Sequence, residues 1–182
     1  EFQKNTAEQF DTHLKGLMQQ GVKGIVVDLR DNPGGLLGAV TEILDELLPE
    51  GLIVYTEDKY GKRDEYKSDA NSIDIPMVVL VNGNSASASE IFAGAVKDYG
   101  YAKIIGTKTY GKGIVQTILK LGDKDALKIT TAKYFTPNGN YIHGVGIEPD
   151  IEIEYEVPEN KVYNQETDNQ LKKAVEVLKE EL

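Results

Sequence analysis

Apolar residues along this chain change their spacing several times, and each change marks an element. Phe10, Leu14, Leu17 and Met18 recur every three or four positions, as one face of a helix does. Asn5 with Glu8 three residues later has the form of a capping box at its start, and Gly21 can close it. Residues 24–29 (GIVVDL) are a short apolar run rich in β-branched side chains, which predicts a buried, parallel strand. The run ends in Arg30-Asp31-Asn32-Pro33-Gly34-Gly35, a loop by its proline and glycines. A second helix is predicted over 36–48, stopping at Pro49, and a strand over 52–56. Residues 57–73 are polar and suit a hairpin or surface excursion. The clearest buried strand is 77–82 (MVVLVN), after which Asn82-Gly83-Asn84 turns the chain into a helix from Ser85 to about Tyr99. Another strand follows at 102–106, then two β-rich segments over 113–135 split by Gly122-Asp123, then a turn at Pro137-Asn138-Gly139. The last amphipathic helix, 166–181, has Leu171, Ala174, Val175 and Leu178 on one stripe. Strand–helix alternation followed by extra strands predicts an α/β core.

Composition narrows the picture. At 182 residues the chain is long enough for one domain with a real core, able to bury about 70% of its unfolded surface. The absence of cysteine excludes a disulfide scaffold, a Cys-ligated zinc, an iron–sulfur cluster and a thiol nucleophile. A net charge of −10 disfavours nucleic acid as a partner. Residues 147–182 hold 11 acidic and four basic residues, so most of the excess lies in the tail, where a solvated face is expected. No apolar run is long enough to span a bilayer. The chain opens Glu-Phe-Gln rather than with Met, and is expected to be a mature portion or a piece of a longer protein.

Candidate chemistry gathers at the turn after residues 77–82. Asn84-Ser85-Ala86-Ser87-Ala88-Ser89-Glu90 puts three serines where a helix should begin. Unpaired N–H groups there can stabilise an oxyanion beside a hydroxyl nucleophile. The same residues can be purely structural, since Ser87 with Glu90 is a capping box and Ser85 can cap equally well. A serine nucleophile needs a base. His13 falls in the first helix and His143 in a Gly-rich turn, and spacing alone permits a Ser87–His143–Asp triad. Lys112, between Gly111 and Gly113, can serve instead if burial disfavours its charged form. In an extended segment Lys112, Ile114 and Gln116 share a side, so Gln116 could orient the amine. Asp98 lies eleven residues beyond Ser87, about 16 Å along a helix, and reads as structural. Residues 106–112 match G-x-x-x-x-G-K, but Gly113 stands where Ser or Thr should hold magnesium, and a β-like segment follows.

Four motifs in order resemble the carboxyl-terminal processing peptidases, the tail-specific protease family. They are residues 27–35 (VDLRDNPGG), 85–91 (SASASEI), 106–116 (GTKTYGKGIVQ) and 144–150 (GVGIEPD), and the resemblance spans about residues 5–181. It implies a crotonase-like, Clp-protease-related α/β core. The chain is then one protease core domain over 1–182, with 160–182 as its helical tail. It further implies a Ser–Lys serine endopeptidase in which Ser87 is the nucleophile, Lys112 the general base and Gln116 the lysine's support. Backbone N–H groups of Ala88 and the Gly34-Gly35 turn would form the oxyanion hole, with no metal and no cofactor. The substrates would be proteins recognised by an apolar C-terminus, and the setting extracytoplasmic: periplasm, cell envelope or secreted. Members usually carry a PDZ domain ahead of the first helix read here, and a homodimer is among the assemblies the resemblance allows. The rival reading is a non-catalytic binding or scaffold relative on the same fold, or a truncation without activity. A crotonase-type acyl-CoA enzyme would leave the serine–lysine pair unexplained.

Overall fold

A computed structural model describes residues 1–158 and 162–182. Its elements run α1 (Thr6–Gln19), β1 (Ile25–Asp28), α2 (Leu37–Leu47), β2 (Gly51–Asp58), β3 (Arg63–Ser68), β4 (Met77–Val81), α3 (Ala88–Asp98), β5 (Ala102–Gly106), β6 (Ile114–Lys120), β7 (Ala126–Phe135), β8 (Ile151–Glu152) and α4 (Asn169–Glu180). They build two four-stranded sheets. One is parallel, in the order β1-β4-β5-β8, and the other antiparallel, in the order β3-β2-β7-β6. This is the expected α/β core with additional strands.

The continuous apolar run of β4 follows from helices covering both faces of the parallel sheet. Met77, Val79 and Val81 pack with Leu44, Leu47 and Phe92 from α2 and α3. Val78 and Leu80 pack with Ile105 and with Ala174, Val177 and Leu178 of α4. All five residues of β4 are fully buried. The polar stretch 57–73 forms the β2–β3 hairpin.

Several expectations are corrected. Asn5 precedes α1, but its side chain makes no capping bond; Thr6 Oγ1 accepts from the Gln3 N–H at 2.8 Å instead. Helix α3 starts at Ala88 rather than Ser85, because the turn from β4 takes three more residues. In α4 the buried residues include Val177, while Val175 is exposed: the stripe lies one step further round than the spacing suggested. The two-residue β8 has no counterpart among the predicted elements.

The acidic tail is also not solvated throughout. Asp168 is wholly buried and bonds Arg30 at 2.8 Å, while Arg30 also reaches Asp28 at 2.6 Å. Burial pulls the Arg30 guanidinium down, but its two carboxylate partners outweigh that and raise it. Residues 159–161 of the tail lie outside the described residues. Among the described residues no helix is long and apolar enough to cross a membrane.

Candidate active site

The three serines separate by burial and bonding. Ser85 and Ser89 are fully buried. The Ser85 hydroxyl donates to Leu29 O at 2.7 Å and accepts from the Asn82 N–H at 2.9 Å. The Ser89 hydroxyl donates to Asn32 O at 2.9 Å. Both tie the turn after β4 to the loop after β1. Ser87 between them is half-buried and lines a cavity of about 290 Å³. It sits at the head of α3 with φ 55° and ψ −115°, a left-handed backbone that a residue with a Cβ rarely adopts. The ties on either side hold that strain in place.

The Asn32–Leu37 loop closes against this turn. The Gly34 N–H donates to Asn32 Oδ1 at 3.0 Å. A Cβ on Gly34 would come within 2.7 Å of Ala88 N and 2.8 Å of Ser87 Cβ, so only glycine permits the approach. Gly35 lines the same cavity as Ser87 and Ala88. The Gly35 and Ala88 N–H groups have no acceptor among the described residues. Of the two glycines, then, Gly35 has the donor to spare, because the Gly34 donor is already engaged.

Lys112 and Gln116 line the opposite wall. Lys112 precedes β6, and a bulge between Val115 and Gln116 breaks the strand's alternation. The shared side expected of Lys112, Ile114 and Gln116 therefore does not come from simple parity. The bulge lets Ile114, Val115 and Gln116 all face the cavity. Among the described residues no hydrogen bond joins the side chains of Ser87 and Lys112, or those of Lys112 and Gln116. Leu36, Leu37 and Ile91 give the cavity an apolar lining.

A residue with the spacing of a helix cap joins the two walls. Glu90 is fully buried, and its carboxylate accepts four hydrogen bonds. One oxygen takes the Thr109 hydroxyl and the Gly111 N–H, each at 2.6 Å; the other takes the Ser87 N–H at 2.9 Å and the Lys112 N–H at 2.7 Å. Tyr134 adds a second link, its hydroxyl donating to Ser87 O at 3.1 Å and to Lys112 O. Burial, reinforced by the nearby Glu90, pushes the Tyr134 phenol up, so it remains a donor. A signal for Glu90 was present in the sequence: it is the one charged residue in the otherwise small and apolar run 85–96. Tyr134 left no such signal.

Other candidates fall away from this cavity. His13 and His143 are exposed and do not line it. Asp98 accepts from the Asn138 N–H at 2.8 Å and pins the 137–139 turn, as a structural residue would. The segment after Lys112 is a strand, which removes the phosphate-loop reading.

A strained serine beside two spare N–H donors, facing a lysine across an apolar cleft on an α/β core, is the layout of a serine-nucleophile hydrolase. Residues 1–153 match the model of peptidase family S41, and the chain belongs to that family. It is 41% identical over 175 residues to a probable CtpA-like serine protease of Staphylococcus epidermidis, covering 90% of this chain and 36% of that protein. It is 50% identical over 142 residues to a carboxy-terminal-processing protease of Bartonella bacilliformis, covering 76% of this chain and 32% of that protein. The solved structure of a photosystem II D1 C-terminal processing protease superposes with a TM-score of 0.79 at 40% identity, over 91% of this chain and 43% of that one. The chain thus spans about a third of the length of the curated relatives it matches.

Proposed function

We propose that this chain is the proteolytic core of a serine endopeptidase working through Ser87 and Lys112. The observation that carries the reading is that Ser87, Lys112 and Gln116 line one cavity with the unpaired N–H groups of Gly35 and Ala88. Lys112 Nζ takes the Ser87 proton as Oγ attacks the scissile carbonyl carbon. The carbonyl oxygen becomes an oxyanion held by the Gly35 and Ala88 N–H groups. Lys112 then returns the proton to the leaving amine as the C–N bond breaks, and a water activated by the same lysine hydrolyses the acyl-enzyme. Gln116 orients the amine, a role that requires the cleft to close on substrate, since catalytic hydrogen bonds tighten in the loaded state.

The apolar lining at Leu36, Leu37 and Ile91 suits an apolar side chain next to the scissile bond. Recognition of an apolar C-terminus by a PDZ domain elsewhere in a longer protein, assembly as a homodimer and action outside the cytoplasm extend the same reading. Family resemblance supports those extensions.

Turnover of an unfolded protein substrate is expected to drop roughly 10⁴-fold in both Ser87→Ala and Lys112→Ala, with the fold intact by circular dichroism. Turnover surviving in either variant would remove the mechanism.

A further inference from the structure

The Gly35 N–H has its direction set by a residue outside the cavity. Phe2 is buried at 5% exposure and forms an isolated parallel bridge to Gly35. Its N–H donates to Gly34 O at 2.7 Å, and its carbonyl accepts from the Leu36 N–H at 2.8 Å. Gly34 O and the Gly35 N–H belong to one planar trans peptide unit, so they point in opposite directions. Holding Gly34 O on Phe2 therefore aims the Gly35 N–H away from Phe2. The two glycines, at φ 99° and 144°, put no Cβ in the way of a rotation of that unit. Nothing else among the described residues accepts or donates at those two atoms. The space beside Gly35 is filled by the Phe2 backbone, whose nitrogen would lie 2.7 Å from a Cβ there.

We infer that Phe2 is a positioning residue for the oxyanion hole. Its backbone N–H locks the Gly34-Gly35 peptide in the orientation that presents the Gly35 N–H to the reacting carbonyl oxygen. Its buried ring anchors the segment that carries that donor. Rotation of the peptide unit breaks the Phe2 bond and withdraws one of the two oxyanion donors. This inference rests on the reading of Gly35 and Ala88 as that pair.

The test compares a peptide aldehyde with the corresponding peptide alcohol. On the aldehyde, Ser87 Oγ adds to the carbonyl carbon, its proton passes to Lys112, and the charge settles on the former carbonyl oxygen. The alcohol has no carbonyl and cannot form this adduct. Two variants remove the Phe2 donor: Phe2→Pro, and an amide-to-ester exchange at residue 2 that keeps the ring and its packing. The wild-type chain is expected to prefer the aldehyde. The ester variant is expected to lose that preference by on the order of 100-fold, with its alcohol affinity unchanged. Phe2→Pro is expected to follow it. An ester variant that keeps the aldehyde preference, or loses affinity for both peptides equally, overturns the inference and leaves Ser87 chemistry standing. A wild-type chain with no aldehyde preference overturns the proposed function itself, and the inference with it.

Discussion

The wall that carries Ser87 and the wall that carries Lys112 draw on different parts of the fold. Ser87 follows a fully buried strand, and its neighbours Ser85 and Ser89 are buried and bonded on both sides. Lys112 leads into β6, which forms a largely exposed hairpin with β7. Ile118, Leu121 and Leu127 of that hairpin lie in solvent. The Ser87 side is thus an extension of the core, whereas the Lys112 side is a surface ribbon anchored at its root. That root is held by Glu90 and Tyr134, both of which also bind the Ser87 backbone. Registration of the two walls therefore rests on a few polar links, those of Glu90 and Tyr134 together with the Tyr110 N–H donating to Ser85 O at 3.1 Å, rather than on a broad packed interface.

Breaking that link should have the largest effect. In Glu90→Gln one oxygen becomes an NH₂ group facing two donors, and each donor left unpaired in the interior costs about 1–3 kcal/mol. Stability by urea unfolding is expected to fall by about 3 kcal/mol, with kcat down on the order of 100-fold at temperatures where the variant is folded. A wild-type kcat would show that the walls register without Glu90.

Next in size is a change that touches the core side only. Asp168→Ala removes the buried partner of Arg30, and leaving a buried charge short of its partner costs about 3 kcal/mol. Burial alone would raise the Asp168 carboxyl, but the Arg30 bonds outweigh it and hold it low. Its contribution is therefore present above the ordinary carboxylate range and lost as pH falls through the lowered value. Activity of the folded fraction should be unchanged, which separates loss of fold from loss of registration. A proportionate drop in kcat would erase that distinction.

On the ribbon side, Gln116→Ala is expected to lower kcat about tenfold with the urea midpoint unmoved, because Gln116 is exposed in the resting cleft. Leu121→Lys at the hairpin end should change stability by less than about 0.5 kcal/mol. A large stability loss from either would mean that the ribbon packs more than its exposure indicates.

The last effect is a pH slope rather than a loss, and concerns α1 against α2. Burial, reinforced by the neighbouring Asp11 carboxyl, pushes Glu46 from an ordinary 4.5 up to about 7. The folded chain then binds more protons than the unfolded chain between those values, so stability falls slightly as pH rises from 4.5 to 7. Glu46→Gln should flatten the slope in denaturation curves across that window.

What the sequence made legible follows the same division. The parallel strands at 25–28, 77–81 and 102–106, and the helices after the first two, could be read from period and β-branching, although 25–28 is only half-buried with Asp28 exposed, where a buried strand was expected. Ser87, Lys112 and Gln116 were placed by motif, and the fold brings all three to one cavity. Glu90 stands out as the one charge in the run 85–96, but its role as a four-donor hub does not, because a capping box presents the same Ser-x-x-Glu spacing. Tyr134 and Phe2 act through contacts 22 to 47 residues away in sequence, which no local pattern records. The bulge at Val115 and Gln116 was equally invisible, since it depends on register with β7.

Activation of one serine of the three in the turn by one lysine across the cleft is open to a direct measurement. Its most direct test is labelling with a fluorophosphonate, followed by mass mapping of the modified peptide in the wild-type chain and in Lys112→Ala. Modification of Ser87 alone is expected, with the rate falling sharply in Lys112→Ala. Modification of Ser85 or Ser89, or a Lys112→Ala chain that labels as fast as wild type, would contradict it.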